Sequence, residues 1–158
     1  PDSSQIARLL GMLPAHLYAS REYLEKHGEP LHPSDLTRHE CIEFRAKGAG
    51  QVTPWPLTDG RQHIEFTPGN RFSVNGVAMA RRLAILGAGI VVLVGGQQAE
   101  QQSGQLQRVL PDWQLGPLPV YAVTETRLLP AKTRIFIEFM MERLGDMGQA
   151  KNTPAFMK

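Results

Sequence analysis

Between residues 13 and 19 apolar positions recur with a period of two. Leu13, Ala15, Leu17 and Ala19 fall on one face and Tyr18 on the other, which predicts a strand. Ser20 follows, and its hydroxyl can cap a short helix over REYLEKH that ends at Gly28, since glycine tolerates the left-handed conformation past a helix end. Pro30 and Pro33 interrupt the pattern, and Ser34 or Asp35 can open one more helical turn. CIEFRA reads as a short buried strand, and 47–62 as a loop-rich stretch with Trp55 between two prolines and a turn at Asp59-Gly60. HIEFTPGNRFSVN divides into two strands around TPGN. The period then lengthens. Over 76–86 Val77, Met79, Ala80, Leu83, Ala84 and Leu86 share one broad side of a predicted helix, with Arg81 and Arg82 away from it.

The helix runs into Gly87-Ala88-Gly89 and then the apolar run IVVLV. A dinucleotide loop needs the order strand, glycine turn, helix, because the pyrophosphate rests on the helix N-terminus. Here the order is reversed, so Gly87 is read as the helix stop and Gly89 as a tight passage into a buried parallel strand. Beyond it a polar helix over QQAEQQS closes at Gly104. QLQRVL forms a strand, 111–119 a loop, and VYAVTET another strand. A long helix is expected over 131–144, with Ile135, Phe136, Phe139, Met140 and Leu144 as its apolar members, followed by a flexible tail over 146–158. Strands alternating with helices at these spacings predict an α/β fold with a mostly parallel sheet.

Composition adds bounds. With 158 residues, 42% apolar and 20% charged, the chain has an ordinary globular balance and can bury a core. The net charge of +2 arises from interspersed acids and bases, so no nucleic-acid patch is read from it. Cys41 is the single cysteine, which excludes an internal disulfide and fits a reducing, cytoplasmic setting; a buried thiol is its ordinary role, with His39 the base that a reactive one would need. The apolar run at 90–94 is too short to span a bilayer. The opening Pro-Asp-Ser-Ser, without an initiator Met, reads as an internal fragment.

The residues argue against catalysis. His16, His27, His32, His39 and His63 show no metal-ligand spacing, and there is neither a Gly-x-Ser-x-Gly elbow nor a phosphate loop. No carboxylate pair suggests acid–base work, and Asp2, Asp35, Asp59 and Asp112 sit in turn-like contexts. Trp55 and Trp113 read as packing anchors. No cofactor or metal is expected.

In open α/β sheets ligands bind outside the carboxyl ends of the parallel strands. That rule selects Phe44 and Arg45, then Ser73, Asn75 and Gly76, then Val94 and Gly95, and places Gly87–Gly89 at the opposite end. The start of the 76–86 helix is the best position, since its amides and dipole favour a carboxylate and Ser73 or Asn75 can add hydrogen bonds. Helix capping by Ser73 or Asn75 is the plainer role. Arg45 can pair with an anion, and Phe44 can form a wall.

From Tyr23 to Phe44 the stretch YLEKHGEPLHPSDLTRHECIEF resembles the effector-binding domain of LysR-type transcriptional regulators, through Tyr23, Leu24, Gly28, Pro30, Pro33, Asp35, Leu36, His39, Cys41 and Ile42. PDSSQIARLLG, SVNGVAMARRLAILGAGI, SGQLQRVLPDW, PVYAVTETR and RIFIEFMMERL continue the resemblance in order, up to about residue 144. It implies an α/β fold like the type 2 periplasmic binding proteins, with two lobes joined by crossover strands near 13–20 and 119–124. The end of lobe one and the first crossover would fill 1–19, lobe two 20–118, and the second crossover with its returning helix 119–145. Lobe one is incomplete in this chain. Thr124, on the second crossover, joins the candidate contacts. Where the family usually has a proline after the apolar strand, this chain has Val94 before Gly95-Gly96. The resemblance implies a small anionic metabolite bound between the lobes and a homodimer or tetramer, with no membrane partner and DNA contacted only through a helix-turn-helix outside this stretch. A free-standing solute-binding protein of the same fold is the alternative, and a nucleotide-dependent enzyme fragment a third reading.

Overall fold

A computed structural model describes residues 6–45, 52–69, 71–94, 104–126 and 128–149, the side chains of 146–149 excepted. It contains strands β1 (Ile6–Ala19), β2 (Cys41–Phe44), β3 (Trp55–Thr58), β4 (His63–Phe66), β5 (Phe72–Val74), β6 (Ile90–Val94), β7 (Gln107–Val109) and β8 (Gln114–Thr124). Helices are α1 (Arg21–His27), α2 (Val77–Ile85) and α3 (Ala131–Gln149), with a 3-10 turn over Pro33–Arg38. The polar helix expected near 97–103 lies outside the described residues.

The chain divides into a larger unit, Ala15–Gly116, and a smaller one built from Pro1–Pro14 and Pro117–Lys158. Hydrogen bonding orders the strands β4-β3-β8-β1-β6-β2-β5, with β7 on β1. The sheet is mixed, which corrects the expectation of a mostly parallel one. Strand β2 pairs in parallel with β5 and β6, while β1 with β6 and β7, and β3 with β4 and β8, run antiparallel. The reason is local: β3 and β4 are joined directly by the Asp59-Gly60 turn, where Asp59 Oδ1 accepts from the amides of Arg61 and Gln62, and such short links make antiparallel neighbours. The same hairpin corrects the loop expected over 47–62, and β8 begins inside the loop expected over 111–119.

Alternation along β1 separates two cores in the larger unit. Ala15, Leu17 and Ala19 pack with Leu36, Cys41, Leu57, Ile90 and Val109; Tyr18 packs with Ile42, Val91, Leu93 and Leu106 on the other face, under α2. Ser20 caps α1 by accepting from the Tyr23 amide at 3.3 Å, and Gly28 closes it at φ 82°. Helix α2 meets the sheet through the fully buried Ala80 and Ala84, one turn apart, with Leu83 and Ile85 packed partly buried beside them, while Val77, Met79 and Leu86 remain exposed, so its buried stripe is narrower than the pattern predicts. Gly87 ends that helix at φ 76°, and at Gly89 (φ 153°) a Cβ would collide with the Glu40 carbonyl. Gly89 thus admits the close approach that lets Ile90 N donate to Glu40 O at 2.8 Å and start β6 beside β2.

In the smaller unit, α3 buries Ile137 and Leu144, which lie two turns apart. A Cβ on Gly11 of β1 would sit 2.9 Å from Cβ of Leu144, so the strand's lack of a side chain there sets how closely α3 packs. Ile135, Phe136 and Phe139, expected as apolar members of the helix, are exposed on another side of it.

Candidate functional site

The carboxyl ends of β2 and β5 lie side by side, with Glu43 in register with Ser73 and Phe44 with Val74. The Arg45 amide continues the ladder by donating to Val74 O at 2.8 Å. Because side chains alternate along a strand, Glu43, Arg45, Ser73 and Asn75 belong to one face and Phe44 to the other. Val94 ends the neighbouring β6, in register with Ala15 of β1. The larger unit therefore brings Phe44, Arg45, Ser73, Asn75, Gly76 and Val94 to one end of its parallel strands, whereas Gly95 lies outside the described residues. Thr124 belongs to the smaller unit, where its hydroxyl donates to the carbonyl of Thr126 at 3.1 Å and lies 3.5 Å from that of Ile6.

Neither Ser73 nor Asn75 caps α2. The N-cap is Gly76, in an extended conformation and without a side-chain hydrogen bond, which corrects the capping role open to both polar residues. The first helical bond joins Ala80 N to Gly76 O at 3.0 Å, so the amides of Val77, Ala78 and Met79 have no partner within the helix. Ser73 and Asn75, which precede them in the chain, are exposed. This arrangement presents amides, a hydroxyl, a carboxamide and the positive end of a helix dipole, which together suit a negatively charged group.

Arg45 is already engaged. Its guanidinium donates to Glu43 Oε2 from Nη2 at 2.9 Å and to Oε1 from Nε at 3.4 Å. The side chain of Glu43 is only 1% exposed, against 34% for Arg45. Sequence reading passed over Glu43 as one member of a buried strand. The signal was a carboxylate flanked by Cys41 and Arg45 at a two-residue spacing, which puts all three on one face of β2.

At the other end of β2 the Tyr23 hydroxyl accepts from the Glu40 amide at 2.9 Å and meets His39 Nδ1 at 3.2 Å. Burial first, then repulsion from His27, holds the His39 pKa below its ordinary value. Cys41 is buried, and burial followed by the Glu40 charge pushes its thiol up to about 12, which keeps it protonated and unreactive at neutral pH. Trp55 and Trp113 both lie in the core. Two cavities of about 300 Å³ lie elsewhere, one against Arg21, Leu106, Gln107 and Arg108 and the other against Arg8, Leu128, Pro130 and Arg134. Among the described residues no group of three or more His, Cys, Asp or Glu could hold a metal ion, and no helix is long and apolar enough to cross a membrane.

Comparison with known proteins decides the family. The LysR substrate binding domain family matches residues 1–145. This chain belongs to that family. An HTH-type transcriptional regulator of Xanthomonas campestris pv. campestris is 34% identical over 149 residues, covering 91% of this chain and 43% of the relative. The HTH-type transcriptional activator AaeR of Escherichia coli is 30% identical over 153 residues, covering 94% and 48% respectively. The chain thus spans about half the length of these relatives. Among solved structures, the regulatory domain of CrgA, a LysR-type transcriptional regulator from Neisseria meningitidis, matches with TM-score 0.72 at 28% identity, covering 91% of this chain and 71% of that one. The full-length Vibrio cholerae virulence activator AphB matches with TM-score 0.71 at 27% identity, covering 90% and 49%. The fold is therefore that of the LysR regulatory domains, an α/β fold of the type 2 periplasmic-binding-protein class. These relatives are transcriptional regulators and not enzymes, and they do not favour a transport protein.

Proposed function

We propose that this chain is the effector-sensing part of a LysR-type transcriptional regulator, and that a small anionic metabolite binds where β2, β5 and β6 end. The observation that carries the reading is the start of α2, whose N-cap has no side-chain partner while Ser73 and Asn75, just before it in the chain, are exposed. A carboxylate there receives amide hydrogen bonds and the helix dipole together. Phe44, 42% exposed, supplies apolar surface at the same strand ends. Val94, at the end of β6, completes the proposed contacts within the larger unit.

In this reading the effector biases one arrangement of the regulator over another, by as much as its affinities for the two differ. DNA contact belongs to a helix-turn-helix elsewhere in the full-length protein, and copies associate as dimers or tetramers. Segments 1–19, 20–118 and 119–145 serve as the end of lobe one with the first crossover, lobe two, and the second crossover with the return helix of lobe one. A screen of small carboxylates and aromatic acids by thermal shift, followed by calorimetry on each hit, tests the site. Asn75→Ala is expected to weaken a genuine effector about tenfold, the worth of one hydrogen bond to a charged group. An unchanged affinity for every hit would place the site elsewhere.

A further inference from the structure

We infer that Glu43 sets the charge class of the effector: by holding Arg45 it leaves, among the described residues, one anion-receiving point, and so favours monoanions over dianions. The inference rests on the reading that effectors bind at the ends of β2, β5 and β6.

Among the described residues, two features at this end of the sheet could receive negative charge, and they are not equivalent. The start of α2 offers amides with no helical partner. Arg45, on the adjacent strand, offers a guanidinium, the side chain best shaped to take a second carboxylate. Glu43 holds that guanidinium with two hydrogen bonds from a side chain that is itself out of water. A carboxylate so placed cannot turn to solvent when a ligand arrives. A second ligand carboxylate would therefore have to displace a buried anion or sit beside it, and like charges placed side by side repel. A single carboxylate on α2 meets no such opposition. The register of Glu43 with Ser73 keeps the pair within the proposed contact surface.

Glu43→Gln preserves shape, removes the charge and frees Arg45. The test uses benzoate and isophthalate, one ring carrying one carboxylate or two, measured by calorimetry on the wild type, on Glu43→Gln and on Glu43→Gln/Arg45→Gln. The double variant removes both charges, so it controls for any strain in the single one. A second readout, independent of any effector, is the rate at which phenylglyoxal modifies Arg45, followed by peptide mass spectrometry.

The expected result is modification of Arg45 at least fivefold faster in Glu43→Gln. Isophthalate should bind that variant about tenfold more tightly than the wild type, as one added charge-assisted hydrogen bond would give. Benzoate should change less than threefold, and the double variant should lose the isophthalate gain. Equal modification rates in wild type and Glu43→Gln would overturn the inference. Faster modification with isophthalate no tighter, while benzoate binds, would overturn the selectivity alone. Faster modification with neither acid bound to any variant would overturn the reading that the strand ends take aromatic carboxylates, while the hold of Glu43 on Arg45 would stand.

Discussion

In the larger unit Leu36, Leu57, Ile90 and Val109 are 0% exposed, whereas in the smaller unit Ile135 and Phe136 of α3 remain 62% and 60% exposed. The residue types are alike; what differs is whether something lies opposite them. In the larger unit both sheet faces are covered, one by α2 through Ala80 and Ala84 and the other by residues that include Tyr23, Leu36 and Trp113. In the smaller unit Leu9, Met12, Leu118, Tyr121, Val123 and Met141 join Ile135 and Phe136 as exposed apolar side chains. An apolar position contributes to stability through the area it removes from water, so equal hydrophobicity carries very different energies in the two units.

The largest effect should therefore come from the covered side. Leu57→Ala empties a site with 0% exposure between β4 and β8 and should cost about 2–5 kcal/mol, depending on how far the hairpin collapses around the cavity. Urea denaturation followed by tryptophan fluorescence reads this directly, since Trp55 and Trp113 belong to the same core. A loss below about 1 kcal/mol would mean that the larger unit is packed far more loosely than its burial indicates.

A smaller effect should appear with pH, within the larger unit. With the Tyr23 oxygen accepting from Glu40, the hydroxyl proton is left for Nδ1 of a neutral His39 ring. His39 has a folded pKa below the ordinary 6.5, so between the two values the unfolded chain binds more protons. Its contribution is complete above about pH 6.5 and is lost as the pH falls from there through the folded value. Asp35 and Asp59, whose carboxylates accept backbone amides and lie below their ordinary 3.8, lose their contributions only in stronger acid. His39→Gln should therefore flatten the upper limb of the stability–pH curve and leave the acid limb intact, with urea midpoints at pH 7.5 and 5.5 as the measurement. An unaltered upper limb in the variant would assign it to other groups.

How much of this was legible in the sequence follows the same division. Local chemistry carried the α1 cap at Ser20, the stops at Gly28 and Gly87 and the passage at Gly89, because each depends on a few neighbouring residues. Pairing did not follow: TPGN separates two strands that never pair, since β4 joins β3 and β5 joins β2. The candidate residues from Phe44 to Val94 do gather at one strand end, which the rule for parallel strands anticipates. The hold of Glu43 on Arg45 escaped notice because alternation tells which face a side chain takes and not which partner it finds there. Nor does a helical period say how many stripes are covered. Helix α3 carries apolar residues on the side of Ile137 and Leu144 and again around Ile135, Phe136 and Phe139, and only the first is buried.

That second stripe supplies the smallest expected change in folding stability and the sharpest test of the contrast between units. Phe136→Ser exchanges a 60% exposed ring for a polar side chain and removes little buried area. Serine is a weaker helix former than alanine but close to phenylalanine, so propensity adds almost nothing. Folding stability measured on dilute protein should move by less than about 0.5 kcal/mol. Sedimentation velocity at high concentration should still respond, because an exposed aromatic beside Ile135 and Phe139 favours contact between copies. Unchanged folding with weaker association would mean that α3 keeps one stripe for its own unit and presents the other outward. A loss comparable to that of Leu57→Ala would mean that Phe136 is covered in solution, and the contrast between the two units would fall with it.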